Sequence, residues 1–448
     1  MAPLSNRVIR FVGKPSTAFL VGLLLRLAVI LSLFHIGVYD HPETWENGTI
    51  AHHIWNGEGF SANWGRELGP TSAQAPVYPY VLAGVFWVFG DNPYAYLSLA
   101  VLQSLVISAM VFPVCALTRR WFGTVPAKVV IWFCALGPLY LWFPTRIHHT
   151  AFVMGAHPWL LLGWLQLVGD PMAGRGGPSS RSPRQAAVVA SGVGALTGLA
   201  GLAQPVLLPV YGLLAAWLLA RSQAARRLDD GRRVLVAGVV TLLVLTPWTE
   251  RNYVVHGRLL LVKDSFGKEF WMGNNPYATG TSFAEGGDLE ITMAHPPRAF
   301  ALRGQLSEVQ LMDAMEAEAW EYVRAQPLAF LERTVTKIVW FWTFEPETVA
   351  RNYGRFTVAV HLTHSAYWVS LVFLAILAWA TRGIPREYVT IVALYVLVYS
   401  VTYGLIHVGQ PRYRGEIEFI VLPAASAGVA WILQRLRPRT YERLRRAV

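Results

Sequence analysis

Two cysteines in 448 residues, Cys115 and Cys134, leave no material for a disulfide framework. Both fall in apolar runs expected to be membrane helices, which also excludes a cysteine-built zinc site. Charge is scarce as well: 15% of residues are charged against 54% hydrophobic, and a chain of this length with that balance is a membrane protein. No small-residue cleavage site follows the first apolar run, which Arg7, Arg10 and Lys14 precede, so that run is expected to stay as a first span. No strong internal repeat is visible, which weighs against an inverted-repeat transporter. Ionisable residues are nearly missing from the middle of the apolar runs. Arg26 is the clearest exception, read either as a functional charge or as a snorkelling or paired structural arginine.

What the chain does hold is a series of apolar segments of about 16–25 residues, near the length that crosses a bilayer. About ten spans are expected, at roughly 17–37, 94–117, 124–143, 150–168, 187–203, 206–220, 234–248, 358–381, 388–407 and 417–434, with both termini cytoplasmic. Segment 76–90 is expected to lie along the outer surface instead: if it spanned, Arg119-Arg120 would fall outside, against the charge bias. A Gly/Ser/Pro/Arg-rich stretch over 170–186 reads as a flexible cytoplasmic loop. The net charge of +11 sits largely in short loops and in a tail holding Arg435, Arg437, Arg439, Arg443, Arg445 and Arg446, which marks the cytoplasmic side and argues against nucleic acid as a partner.

The fold class is therefore an all-α, polytopic helical bundle with juxtamembrane helices on the outer face and one large outer loop. Three regions follow: an N-terminal membrane module over 1–248 with its first outer loop at 38–93, the large outer loop over 249–357, and a C-terminal membrane module with a basic tail over 358–448. In the large loop, a helix-like stretch runs from Ser307 to about Phe344. Leu311, Met315 and Ala319 form one apolar stripe there, with Glu316, Glu318 and Glu321 beside it. Its end, Ile338 to Trp342, is expected to dip into the membrane interface.

The polar clusters gather on one face of this expected membrane. The loop after the first span carries Asp40, Glu43 and Glu46, and a carboxylate at the membrane surface serves as general base for an acceptor hydroxyl when its surroundings tune its pKa. Acids also stabilise a helix start, and that plainer role is open for all three. Glu46, ahead of a helix-like Ile50–Trp55 stretch, is the favoured base. Beyond it come Gly57-Glu58-Gly59-Phe60, the Thr71–Pro76 run and the aromatic Pro76-Val77-Tyr78-Pro79-Tyr80, which place Tyr78 and Tyr80 in a candidate pocket. The 145–149 loop adds Arg146, His148 and His149. His149 is assigned to the pocket; an adjacent histidine pair is poor ligand geometry, so no metal is indicated and no cofactor is expected.

Arg412-Tyr413-Arg414, read as extended, puts both arginines on one side, ready to fork onto phosphate oxygens; interfacial snorkelling is the alternative. Arg251 follows a span end in the same manner. Asn274 and Asn275, in Gly273-Asn274-Asn275-Pro276, are turn formers and further pocket candidates, with Tyr413.

In order along the chain, these segments resemble the GT-C membrane glycosyltransferases, in the bacterial branch related to protein O-mannosyltransferases and the lipid A aminoarabinose transferase. The matching residues are the acidic first loop with Glu46 and Ala51, Gly57-x-Gly59-Phe60-Ser61, Thr71 to Pro79 leading to Phe89-Gly90, and Pro247-Trp248-x-x-Arg251-Asn252-Tyr253. The Gly273–Pro276 turn and Arg412-Tyr413-Arg414 complete the set. Two departures stand out: His148-His149 where many relatives carry an acid, and Gln204-Pro205 where many carry Arg-Pro.

The resemblance implies an enzyme of a bacterial inner membrane with its active site on the outer face. It would move a sugar from a polyprenyl-phosphate donor to a lipid, glycan or protein acceptor, with inversion at the anomeric carbon. A first-loop carboxylate would act as base, and Arg412, Arg414 or Arg251 would hold the departing lipid phosphate. Two other readings are kept: a non-catalytic flippase or transporter of the same polyprenyl-linked sugars, and an oligosaccharide polymerase or ligase.

Overall fold

The computed structural model describes residues 11–64, 67–168, 182–222, 227–285, 289–343 and 355–446. It is a helical bundle; the one sheet pairs two-residue strands, Ser61–Ala62 and Gly69–Pro70, antiparallel within the first long loop. In chain order the principal helices are α1 (Pro15–His35), α2 (Trp45–Trp55), α3 (Val77–Phe89), α4 (Pro93–Ala109) running into α5 (Val111–Phe122), α6 (Thr124–Leu136), α7 (Thr150–Leu167), α8 (Pro183–Ala203), α9 (Leu207–Arg221) and α10 (Arg227–His256). There follow α11 (Phe266–Gly273), α12 (Glu308–Ala325), α13 (Pro327–Trp342), α14 (Arg386–Val401) and α15 (Leu422–Leu436).

Among the described residues, seven helices are long and apolar enough to cross a bilayer: Pro15–His35, Pro93–Phe122, Pro183–Ala203, Arg227–His256, Leu362–Arg382, Arg386–Ile406 and Glu418–Leu436. An eighth forms if Thr124–Leu136 and Pro138–Thr145, bent by 44°, count as one. The other two expected spans are present as helices, α7 and α9, but fall short by length or composition. The 15 residues of α9 rise about 22 Å, less than the hydrocarbon thickness of about 30 Å, and His157, Pro158 and Gln166 dilute the apolar character of α7. Helix α3, at 13 residues, is too short to span, in line with its expected surface placement. The linker expected at 170–186 lies mostly outside the described residues; α8 begins next to it with Ser182 as N-cap, in a reciprocal capping box with Gln185.

Close helix contacts come from small residues, as is usual where lipid supplies no hydrophobic drive. A Cβ on Gly194 of α8 would collide with the Ala237 carbonyl oxygen of α10. Arg26 holds the bent α6 region. Pro138 has no N–H for the Cys134 carbonyl four residues back, and Pro144 has none for Tyr140. The fully buried Arg26 supplies both missing donors, with Nη2 to Cys134 O at 2.9 Å and Nε to Tyr140 O at 2.8 Å. Of the readings open for it, the structure selects the paired structural arginine, its partners being carbonyls rather than an acid.

Outside the spans, the long helix expected from Ser307 to Phe344 is two helices. It breaks at Gln326-Pro327, where the ring of Pro327 cannot continue an α-helical hydrogen-bond ladder. In α12 the stripe of Leu311, Met315 and Ala319 is fully buried, as its periodicity predicts. At the end of α13, Phe341 does not face the membrane interface. It is fully buried and stacks on Tyr403 at 5.3 Å.

The two ends of the bundle differ in charge. The α4–α5 span starts beside Asp91, which pairs with His52 of α2 at 3.4 Å, and finishes at Arg119-Arg120. Glu46 and Arg120 therefore lie at opposite ends.

Candidate functional site

Helix α2 opens with Trp45 at φ 48°, the one non-glycine residue with left-handed backbone among those described. Such a conformation costs free energy and concentrates at functional positions. It sets Glu46 in the first turn of the helix, where the dipole favours an anion. The Glu46 carboxylate accepts from Lys268 Nζ at 2.9 Å and keeps 34% of its side-chain surface open. Lys268 belongs to α11 and lies 4.8 Å from the centre of the Trp64 ring.

The neighbouring Glu269 continues the cluster. Its Oε2 is 2.7 Å from His407 Nε2 and its Oε1 is 4.0 Å from Lys263 Nζ. His407 Nδ1 accepts from the Val408 N–H at 2.6 Å, so the ring proton sits on Nε2 and points to Glu269. Tyr413 Oη lies 3.2 Å from the same Nε2, and Arg412 Nη2 donates to Tyr413 Oη at 2.7 Å while its guanidinium stacks over the ring at 4.6 Å. The polar chain thus runs from Glu46 through Lys268 and Glu269 to His407, Tyr413 and Arg412. On the other side, Trp45 meets His148 edge-on at 5.5 Å, His148 and His149 lie ring to ring at 4.2 Å, and Tyr78 meets His149 at 6.3 Å.

The electrostatics are those of fixed, opposed charges. Burial pushes the Glu46 carboxyl up, but the Lys268 ammonium beside it outweighs that and holds it below the usual range. Burial opposes the charge of Lys268, and Glu46 with Glu269 more than restores it. Glu269 stays ionised against its burial because His407, Lys263 and Lys268 surround it. Burial, with Lys263 and Arg412, drives His149 down to about 3, so it is neutral. Beneath Arg412 and Tyr413, Glu416 is fully buried and accepts from Gln204 Nε2 at 2.8 Å and Tyr399 Oη at 3.3 Å. Burial raises its carboxyl to about 7.

Helix α11 is pinned at its C-terminal end. Asn274 Nδ2 donates to Phe270 O at 3.0 Å and Leu405 O at 3.1 Å, Asn275 Nδ2 donates to Trp271 O at 2.8 Å, and Lys337 Nζ donates to Asn274 Oδ1 at 3.1 Å. Both asparagines are buried; they fix the turn that presents Lys268 and Glu269.

Several anticipated residues sit elsewhere. Glu43 pairs with Arg146 at 2.6 Å with 68% of its side chain exposed, and Asp40 is exposed. Tyr78 is buried and donates to Gln103 Oε1 at 3.0 Å, whereas Tyr80 is exposed and packs on Phe60. The 412–414 segment is not extended. Pro411–Arg414 is a helical turn, which sends the two arginines apart. Arg414 is fully buried, paired with Glu418 at 3.0 Å and donating to Phe341 O at 2.8 Å and Thr343 O at 2.7 Å. Arg251 braces the first loop: Nη1 donates to Thr71 O at 2.6 Å and Nη2 to Phe60 O at 3.0 Å, with its guanidinium 4.9 Å from the Trp248 ring.

Sequence reasoning missed Lys263, Lys268, Glu269, His407 and Glu416. The usable signal was a Lys-Glu pair just upstream of the Trp271–Pro276 turn and a histidine at the end of a span. Among the described residues, no three His, Cys, Asp or Glu side chains converge as metal ligands.

Fold and cluster together define a polytopic membrane protein with a charged cluster at one end of its bundle. No family model and no curated protein matches the sequence. Solved structures do match the fold. The Archaeoglobus fulgidus oligosaccharyltransferase in its apo form superposes with a TM-score of 0.54 at 14% identity, over 96% of this chain and 54% of that one. The same archaeon's oligosaccharyltransferase AglB in complex with an inhibitory peptide and a dolichol-phosphate gives 0.50 at 13% identity, over 96% and 52%. ArnT from Cupriavidus metallidurans bound to undecaprenyl phosphate gives 0.41 at 15% identity, over 93% and 79%. The chain spans about half the length of the oligosaccharyltransferases it matches. The chain shares its fold with these oligosaccharyltransferase structures.

Proposed function

We propose that the chain is a membrane glycosyltransferase that moves a sugar from a polyprenyl-phosphate donor to an acceptor hydroxyl at the outer face of a bacterial inner membrane. The observation that carries this reading is the polar cluster, where an ionised carboxylate (Glu46) and cations (Lys268, Lys263 and Arg412) are linked through Glu269, His407 and Tyr413 at the end of the bundle away from Arg119-Arg120. That polarity supports a cytoplasmic placement of the arginine end and of both termini. The shared fold lends support, since AglB has been solved with a dolichol-phosphate.

In the reaction, the acceptor oxygen attacks the anomeric carbon from the face opposite the phosphate, and its proton passes to Glu46. The bond from the anomeric carbon to the phosphate oxygen breaks, its electron pair stays on that oxygen, and the sugar inverts. Arg412, aimed by Tyr413, and Lys268 stabilise the charge that builds on the leaving phosphate. In the resting chain Lys268 neutralises Glu46 and weakens it as a base. A donor phosphate that draws the ammonium away restores its basicity, so donor arrival and base activation are coupled. Glu269, held by His407 and Lys263, keeps Lys268 charged and in place.

The test is incubation of the purified chain with polyprenyl-phosphate sugars and a hydroxyl acceptor, following release of polyprenyl phosphate. Release that depends on Glu46 supports transfer. Movement of intact donor across proteoliposomes without release would favour the flippase reading, and loss of long polymer in a deletion strain would favour the polymerase.

A further inference from the structure

The arginine end of the bundle holds a feature that glycosyl transfer does not use. A cavity of about 470 Å³ opens between the start of α1 and the end of α5, lined by Pro15, Phe112, Cys115, Ala116, Arg119 and Arg120. From Phe112 to Arg120 is eight residues, or about 12 Å along a helix axis. The cavity is therefore basic at its mouth and apolar along its depth. Phe112, Ala116 and Arg119 are exposed, whereas Cys115 is buried, its thiol turned toward the Ala127 carbonyl at 3.6 Å.

Cations from three helices gather here. Glu387 accepts from Arg120 Nε at 2.7 Å and Nη2 at 3.0 Å, and from Arg221 Nη1 at 2.6 Å, so one carboxylate faces two guanidinia. Lys128 of α6 adds a further cation and donates to Leu444 O at 2.7 Å. Arg119 makes no ion pair among the described residues. Glu387 thus fixes Arg120 in place, with the exposed Arg119 beside it next to an apolar wall.

We propose that this cavity is a binding site for one anionic phospholipid. Its phosphate lies against Arg119 and Arg120, and its glycerol and first acyl carbons lie along Ala116 and Phe112. A guanidinium pair suits phosphate oxygens, and basic pockets between membrane helices recognise anionic headgroups. A zwitterionic lipid fills the apolar wall equally well but brings its own cation to the arginines, so selectivity comes from the mouth. Because the site is at the far end from Glu46, its occupancy is independent of whether the polar cluster transfers a sugar.

The experiment is native mass spectrometry of the full chain titrated with phosphatidylglycerol or phosphatidylcholine, with Arg119→Ala and Ala116→Trp as separate variants at exposed positions. The expected result is one phosphatidylglycerol retained in preference to phosphatidylcholine, weakened about tenfold in Arg119→Ala and blocked in Ala116→Trp, with thermal unfolding of both variants unchanged. Equal retention of the two lipids overturns the proposal, as does a preference that neither variant alters. Displacement of the lipid by glycerol phosphate at equal concentration would also overturn it, since the occupant would then be a free anion.

Discussion

Removing Arg26 should unbalance the bent α6 region in a way that a second substitution partly repairs. In Arg26→Leu the Cys134 and Tyr140 carbonyls lose the donors at 2.9 and 2.8 Å, and Pro138 and Pro144 offer no N–H in their place. An unsatisfied buried polar group costs about 1–3 kcal/mol, and lipid supplies no water to take over. Two such groups cost about 2–6 kcal/mol, partly offset because a guanidinium without a carboxylate partner no longer has to be buried. A net loss of about 2–4 kcal/mol is expected, seen as a fall of several degrees in the unfolding temperature in detergent. In the double variant Arg26→Leu/Pro144→Ala, the backbone N–H restored at position 144, after the helical Phe143, can reach Tyr140 O. The double variant should therefore recover about 1–2 kcal/mol, measured as a positive coupling in a double-mutant cycle. Arg26→Leu with wild-type stability, or a Pro144→Ala effect that is the same with and without Arg26, would refute the reasoning.

Arg414→Ala should destabilise by about 2–4 kcal/mol, because it leaves the buried Glu418 with His364 alone and strands two carbonyls. Arg412→Ala should leave the unfolding temperature within about a degree and raise the donor KM; comparing unfolding curves with transfer kinetics separates the two. Asp264 is pushed up to about 6 by burial, which Arg258 opposes and Asp313 and Glu316 reinforce. The folded chain then holds a proton between about pH 4 and 6 that the unfolded chain has released. Stability from this group is full below that window, falls as pH rises through it, and is flat above. Asp264→Asn should stabilise the chain at pH 7 by about 1–2 kcal/mol and reduce the acid-side slope of unfolding temperature against pH. A Cβ on Gly273 would stand 2.5 Å from His407 O, so Gly273→Ala should part His407 from Glu269 and lower turnover more than it lowers stability.

The membrane character, the shortness of α3 and the buried stripe of α12 were legible because each rests on local periodicity and charge. The break at Pro327 was not read, because helical periodicity continues on both sides of the proline. Of the ten expected spans, α7 and α9 are helices in the expected places, but they are shorter or less apolar than the other eight. Glu46 stood out from its position alone, whereas its partner did not: Lys268 is 222 residues away, and only the fold brings α2 and α11 together. Arg412 and Arg414 looked equivalent while the segment was taken as extended; one helical turn leaves Arg412 beside Tyr413 and buries Arg414 against Glu418. The role of Arg26 depended on knowing which carbonyls the prolines leave without donors, and that is a matter of tertiary contact.

The most direct test of the central claim is single-turnover transfer from a polyprenyl-phosphate sugar, comparing the native chain with Glu46→Gln under donor saturation. The account predicts that the native chain releases polyprenyl phosphate with inversion of the sugar. In Glu46→Gln the donor should bind with similar affinity while turnover falls about 10²- to 10⁴-fold. Unchanged turnover in Glu46→Gln would contradict the assignment of the base, and tight donor binding with no release by the native chain would contradict the transferase itself.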